Sequence, residues 1–79
     1  MDYAFDELIR DLSMGREIEF EYAGRKFSLT HTPNGWSLAE FYKGNEQTFP
    51  SYRDVLEYGT VDGTSLRDIW PATQVIAIY

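Results

Sequence analysis

Residues 17–31 read EIEFEYAGRKFSLTH, and their polarity alternates with a period of two on both sides of Ala23 and Gly24. This period is typical of a β-strand with one buried face. If Ala23 and Gly24 form a two-residue turn, Phe20 lies opposite Phe27, Ile18 opposite Leu29 and Glu21 opposite Lys26. A slip of one residue would place glutamate against phenylalanine. The stretch therefore predicts a β-hairpin whose apolar face covers a core.

A third antiparallel strand is predicted after the hairpin. Residues 32–35, Thr-Pro-Asn-Gly, suit a tight turn, and residues 36–42 continue the alternation. Simple alternation, however, turns Glu40 inward and Phe41 outward. Either a β-bulge near Ala39 returns Phe41 to the core, or the second face of the sheet is also partly covered, and the bulge is the preferred interpretation.

The N-terminal residues predict an amphipathic helix. Asp2 is suited to be its N-cap and Gly15 to end it, with Arg10 and Asp11 on the solvent side. The predicted apolar face comprises Phe5, Leu8, Ile9 and Leu12.

Two serines predict short helices in the second half of the chain. One helix is expected to begin at Ser51 and to close at Gly59, and another to begin at Ser65 and to stop at Pro71. Asp62-Gly63 between them is typical of a turn.

Two further strands complete the predicted fold. Residues 47–49 indicate a short edge strand stopped by Pro50, and residues 74–79, apolar on both faces, indicate an interior strand. We expect residues 1–79 to form a single α+β domain. It contains an antiparallel β-meander of three to five strands, with an N-terminal helix and one or two short later helices packed on one face.

Composition excludes several classes of function. The 79 residues include thirteen acidic and seven basic side chains, a net charge of −6 that disfavours direct binding of nucleic acid. The absence of Cys excludes disulfides, thiolate zinc sites and cysteine nucleophiles. Residues 1–10 lack the features of a signal peptide, and no apolar run approaches the ~20 residues that span a bilayer, so a cytoplasmic location is expected.

No convincing catalytic pair is found in the sequence. His31, the only histidine, is expected to pack on Trp36 at the end of the sheet rather than to act in catalysis or metal binding. A buried Glu40 with a raised pKa would suit a general acid, although a bulge or an edge position explains its place more simply. We therefore predict a non-enzymatic protein with no cofactor and no metal.

Acidic and aromatic residues suggest two overlapping surfaces. The glutamates of the first strand form a stripe on its outer face, which either keeps the sheet soluble or binds a basic surface of another protein. The aromatic residues exceed what one helix on a small sheet buries, so some belong to the core, to a dimer interface or to a binding patch. The candidate partner-binding residues are Glu17, Glu19, Glu21, Lys26, Trp36, Phe41 and Tyr42.

Two functions remain open on this basis. The first is a small acidic binding or inhibitory protein of phage or bacterial type that docks on a larger protein, for instance a blocker of a nucleic-acid-acting host defence enzyme. The alternative is an oligomeric nucleotide-binding or small-molecule-binding protein with an aromatic pocket, in which Arg25, Lys26 or Arg53 meets phosphate. The small core and the apolar last strand also predict a homodimer.

Overall fold

The structure, a computed structural model, describes residues 3–79. Its strands are β1 (Ile18–Tyr22), β2 (Arg25–Thr32), β3 (Gly35–Glu40), β4 (Gln47–Phe49), β5 (Thr60–Val61), β6 (Thr64–Ser65) and β7 (Gln74–Ile78). Its helices are α1 (Phe5–Ser13), α2 (Tyr52–Tyr58) and α3 (Leu66–Ile69), the last followed by a 3-10 turn, Trp70–Ala72. Five strands form one antiparallel sheet in the order β4-β3-β2-β1-β7, and β5 and β6 form a separate ribbon.

The predicted hairpin is confirmed in its turn and in its register. Phe20 pairs with Phe27, and their rings stack with centroids 5.3 Å apart. Ala23 and Gly24 have φ angles of 54° and 75°, the left-handed values that a type I′ turn requires at both central positions. The twist of this turn matches that of the flanking strands, so local chemistry and side-chain packing select the same hairpin.

The third strand joins the hairpin without the predicted bulge. Residues of β2 and β3 pair without a shift from Thr32 with Gly35 to Phe27 with Glu40. The Phe41 N–H continues this ladder by donating to the Lys26 carbonyl oxygen at 2.9 Å. The bulge near Ala39 is therefore wrong, because Glu40 is accommodated on the helix side of the sheet. Phe41 is half-buried on the opposite side.

All three helices pack against the same face of the sheet, as the α+β prediction required. Each helix contributes buried residues to one core with β1, β2 and β3. The buried core residues are Leu8, Leu12, Ile18, Phe20, Phe27, Leu29, Trp36, Leu38, Val55, Val61, Leu66, Ile69 and Trp70. No helix in the described part of the chain is both long and apolar enough to cross a membrane.

Helix α1 ends as predicted but does not begin with a side-chain cap. Gly15, at φ 81°, donates to the Leu12 carbonyl oxygen, and the next amide donates to that of Asp11, which is the Schellman arrangement. Ala4 occupies the N-cap position, and the proposed cap, Asp2, lies outside the described residues. The placement of Asp11 on the solvent side was wrong, because its buried carboxylate accepts a hydrogen bond from the Tyr3 hydroxyl.

The later helices have the predicted serine caps. The Ser51 hydroxyl accepts from the Asp54 N–H, and the Ser65 hydroxyl accepts from the Asp68 N–H, each at 3.2 Å. Helix α3 ends at Ile69, before Pro71, which belongs to the 3-10 turn. The β5–β6 ribbon was not predicted beyond its turn, because two-residue strands are too short for a periodic signal.

Strand β7 corrects the prediction of an interior strand. It pairs with β1 alone and forms one edge of the sheet, while β4 forms the other edge as expected. Ile76 and Ile78 remain 47% and 44% exposed. A short apolar run does not distinguish an interior strand from an edge strand whose side chains stay partly uncovered.

Candidate functional site

The side of the sheet that faces away from the helices is the first candidate site, and we call it the open face. Alternation along the paired strands assigns to it every second residue, opposite in phase to the buried core positions. The open face carries Glu19, Glu21, Lys26, Ser28, Thr30, Ala39 and Ala77, whereas Ser37, in the same phase, is buried and donates a hydrogen bond to the Glu46 carboxylate at 2.6 Å. Most of the other side chains are short, and the face is partly covered on the β3 side, as the alternative to the bulge near Ala39 allowed.

The acidic stripe on the open face is shorter than the sequence suggested. Glu19 and Glu21 occupy it, and Glu21 lies directly opposite Lys26 on β2. The Glu17 carboxylate is engaged elsewhere, because it accepts the His31 backbone N–H at 2.9 Å. Glu17 therefore closes the end of the β1–β2 ladder, and the stripe consists of two glutamates.

Phe41 and Tyr42 form an aromatic corner at the rim of the open face, next to Lys26. The two rings meet edge to face with centroids 6.0 Å apart. Tyr42 is fully exposed and has a φ of 65°, a left-handed value that is rare for a bulky side chain. This backbone conformation belongs to the turn in which the Lys43 N–H donates to the Glu40 carbonyl oxygen at 3.3 Å, and it leaves the Tyr42 ring in water.

Trp36 does not belong to this surface. Its side chain is buried on the helix side of β3, opposite His31, and the two rings stack with centroids 4.8 Å apart and planes 7° apart. The predicted packing of His31 on Trp36 is confirmed. Of the seven candidate residues, the sheet brings together Glu19, Glu21, Lys26, Phe41 and Tyr42 and separates Glu17 and Trp36 from them.

An ion-pair cluster on the helix side of the sheet explains Glu40. Two nitrogen atoms of the Arg25 guanidinium, Nε and Nη2, contact the Glu40 carboxylate at 2.9 and 2.8 Å, and Nη1 contacts Asp62 Oδ2 at 2.6 Å. Glu40 is 8% exposed. Its hydrogen bonds to Arg25 hold its pKa below the ordinary value of 4.5 despite the desolvation. A general acid needs a raised pKa, so this carboxyl group is suited to a structural role.

We predict a pH-dependent cost for the Glu40→Gln variant. A carboxyl group with a lowered pKa in the folded state contributes stability above its unfolded pKa, and that contribution is lost as the pH falls through the folded pKa. The variant should melt several degrees below wild type at about pH 7, with a difference that shrinks toward about pH 3. Melting curves at several pH values measure this difference. Glu57→Gln, on exposed helix surface, is the control, and a Glu40→Gln difference that stays constant with pH would contradict the assignment.

Tyr79 and Asp62 are site residues that the sequence did not reveal. The Tyr79 N–H donates to the Glu17 carbonyl oxygen at 2.8 Å, which continues the β1–β7 pairing, and the negative charge of Glu19 raises the pKa of the exposed Tyr79 phenol. Asp62 joins Arg25 across 37 positions of sequence. Only the tertiary fold creates these two contacts, and no local pattern signals them.

A groove of about 1060 Å³ on the helix side is the second candidate site. It lies between β7, the tip of the hairpin and the 3-10 turn, and its lining includes Tyr3, Phe5, Trp70 and Val75. The proposed phosphate ligands do not gather there. Arg25 is engaged in its ion pairs, Lys26 lies on the open face and Arg53 belongs to α2, whereas Arg67 lines the groove.

Residues 3–79 contain no group of three His, Asp or Glu side chains placed to hold a metal ion. Comparison with known proteins adds no further assignment. No protein-family model matches the chain, and neither a curated protein nor a solved structure is significantly similar to it.

Proposed function

We propose that this protein is a small non-enzymatic binding protein that docks on a larger protein through the open face and its aromatic corner. One observation carries the proposal. All the described helices pack on one side of the sheet, while the other side presents two glutamates, a lysine and a fully exposed tyrosine. This surface combines charged side chains with an exposed aromatic residue of a type that is enriched at protein interfaces.

Tyr42 is the proposed anchor residue. Tyrosine is enriched among the residues that dominate binding energy, because its large rigid ring loses little conformational freedom on binding. A left-handed backbone at a residue with a Cβ costs about 1–2 kcal/mol. Tyr42 adopts it while its ring contacts mainly solvent and Phe41. Strain of this kind is characteristic of functional positions, where contacts with a bound partner would offset its free-energy cost.

Charge supports a partner with a basic surface. The chain carries a net charge of −6, and Glu19 and Glu21 lie on the proposed contact surface, Glu21 opposite Lys26. Complementary charge of this sort speeds association and excludes acidic partners. A specific form of the proposal is an inhibitor that covers the basic channel of a nucleic-acid-acting enzyme, such as a phage-type blocker of a host defence nuclease.

A binding assay with matched tyrosine variants tests this proposal. After capture and identification of a partner, its affinity is measured for wild type, Tyr42→Ala and Tyr58→Ala. Tyr58 is 63% exposed, but it lies on α2 on the other side of the molecule. We expect Tyr42→Ala to weaken binding at least about tenfold and Tyr58→Ala to leave it unchanged. If Tyr58→Ala weakens binding more than Tyr42→Ala does, the open face is not the docking surface.

The salt dependence of the affinity distinguishes a partner with a basic surface from one that makes an apolar contact. If a basic partner surface is involved, affinity should fall clearly between about 0.05 and 0.5 M salt, because the Debye length shrinks and screens the glutamates. A complex that keeps its affinity at about 0.5 M salt would reject the basic partner and leave an apolar contact through the aromatic corner.

The groove favours nucleotide binding as a second candidate function. It holds aromatic rings and one arginine, Arg67, whose guanidinium carbon lies 4.5 Å from the centroid of the Phe5 ring. A thermal-shift screen with ATP, GTP and AMP tests it, since a ligand at 100 times its dissociation constant adds about 2.7 kcal/mol of stability. Unchanged melting temperatures would reject this candidate.

A further inference from the structure

A second depression on the helix side, which we call the helix cleft, lies between helices α1, α2 and α3 and measures about 590 Å³. Its lining includes Phe5 and Ile9, one turn apart on α1, and Tyr52 and Leu56 on α2. All four side chains are half-buried, so they present apolar surface to the cleft. Pockets for small ligands usually measure about 300–1,000 Å³, and the helix cleft is within this range.

Two arginines line the helix cleft, and each lies against an aromatic ring. The guanidinium carbon of Arg67, on α3, lies 4.5 Å from the centroid of the Phe5 ring. That of Arg53, on α2, lies 5.8 Å from the centroid of the Tyr52 ring, and Arg53 Nε donates to the Tyr52 hydroxyl oxygen at 3.4 Å. A cation within about 6 Å of an aromatic ring face is attracted to it. The rings therefore hold both guanidinium groups at the cleft.

Most N–H donors of these two guanidinium groups are unused. Among residues 3–79, neither Arg53 nor Arg67 forms an ion pair, and the contact with Tyr52 is the one hydrogen bond that either side chain donates. Arg25, in contrast, is held by two carboxylates. A guanidinium carries five N–H donors in a fork that matches a carboxylate or a phosphate. Both arginines can therefore receive an anionic group.

The lining of the helix cleft has the opposite charge sign to the whole chain. The chain carries a net charge of −6, whereas the lining contains two arginines and one acidic residue, Glu57, which gives a net charge of +1. Asp6 and Asp68 are exposed and do not line the cleft. Charge complementarity therefore favours an anionic occupant.

We infer that the helix cleft is a binding site for a small organic anion. The apolar ring or chain of this ligand packs on Phe5, Ile9 and Leu56, which removes their exposed surface from water. Its carboxylate, sulfonate or phosphate group accepts hydrogen bonds from Arg53 and Arg67. Bonds of this kind, between two charged groups, are about twice as strong as those between neutral groups.

This site goes beyond the two functions proposed above and can fail without them. The docking surface is the open face, on the other side of the sheet from the helices. The groove considered for nucleotides shares Phe5 and Arg67 with the helix cleft, but Arg53 lines the cleft alone, whereas Thr73 and Val75 line the groove alone. Measurements at these three residues therefore distinguish the two sites.

Fluorescence titration with anilinonaphthalene sulfonate tests the inference, because this probe joins apolar rings to one anionic group. We expect one probe to bind per wild-type chain, and Arg53→Gln to weaken its affinity at least about tenfold. Arg16→Gln removes an exposed arginine that does not line the cleft and should leave the affinity within about twofold of wild type. No binding to wild type, or equal losses in the two variants, would overturn the inference.

Uncharged anilinonaphthalene, which has the same rings without the sulfonate, is the matched probe. Its affinity should be the same for wild type and Arg53→Gln, because it has no group for the guanidinium to hold. An equal loss for both probes would mean that Arg53 shapes the cleft rather than binding the anion.

NMR shift changes of the backbone amides locate the bound sulfonate probe. We expect the largest changes at Ile9, Arg53 and Leu56 and small changes at Thr73 and Val75. Changes that are largest at residues 73–75 would place the probe in the groove and overturn the assignment. So would changes spread over the whole chain, since this probe also binds partly unfolded proteins.

Discussion

The Gly35→Ala variant is expected to be largely unfolded at 25 °C. A Cβ atom on Gly35 would overlap the Phe49 carbonyl oxygen and lie 2.9 Å from the Pro50 Cα atom. These are backbone atoms, so no side-chain rotation relieves the clash. The φ of 132° adds strain for any residue with a Cβ. The substitution must push β4 away from β3, and a domain of this size holds only about 3–5 kcal/mol of net stability.

Gly63→Ala is the matched control for this prediction. Gly63 also has a left-handed φ, 81°, but nothing lies within 4 Å of the position that its Cβ atom would occupy. Its substitution should cost about 1–2 kcal/mol and lower the melting temperature by roughly 4–16 °C, leaving a folded protein at 25 °C. Circular dichroism melting curves compare the two. A Gly35→Ala variant that melts close to Gly63→Ala would show that β4 moves away at little cost.

Trp70→Ala is expected to abolish cooperative folding as well. The Trp70 ring lies 5.2 Å from that of Phe20 and 6.0 Å from that of Phe5, measured between centroids. Its indole N–H donates to the Tyr3 carbonyl oxygen at 2.8 Å. Removing a buried aromatic ring costs about 3–5 kcal/mol, which equals the expected net stability of so small a domain.

The Trp70→Phe variant separates the stability contributed by aromatic packing from that contributed by the indole hydrogen bond. Phenylalanine retains most of the aromatic packing but leaves the Tyr3 carbonyl oxygen without its donor, so we expect a loss of about 1–3 kcal/mol and a folded protein. Trp36 remains as the fluorescent reporter of unfolding in both variants. A cooperative transition in Trp70→Ala near the wild-type temperature would mean that the core closes without this ring.

Local patterns predicted most of the secondary structure because they report on single elements. The hairpin about Ala23 and Gly24, the glycine end of α1 and the caps at Ser51 and Ser65 depend on residues within a few positions of each other. The predictions that were wrong concern residues whose surroundings are set by residues from other parts of the chain. Asp11 is buried because Tyr3 covers it, and the same local pattern would be solvated without that contact.

The same difference between local patterns and distant contacts applies to the candidate site. Alternation predicted the outward side of Glu19 and Glu21 because a strand has only two faces. The same alternation places Trp36 on the helix side, in phase with Glu40, but it could not show that the Glu17 carboxylate accepts the His31 backbone N–H. That contact joins residues 14 positions apart at the end of the β1–β2 pair, so no pattern within one strand signals it.

By itself, the order of apolar and polar residues determined the hairpin, its register, the helices and the α+β class, because each follows from a repeat or a cap within one segment. Tertiary structure alone decided that Arg25 joins Glu40 to Asp62, that β7 is an edge, and that Tyr42 is left in solvent. Those properties are set by what lies across space from a residue, and the free energy of burial and of ion pairing depends on that neighbour.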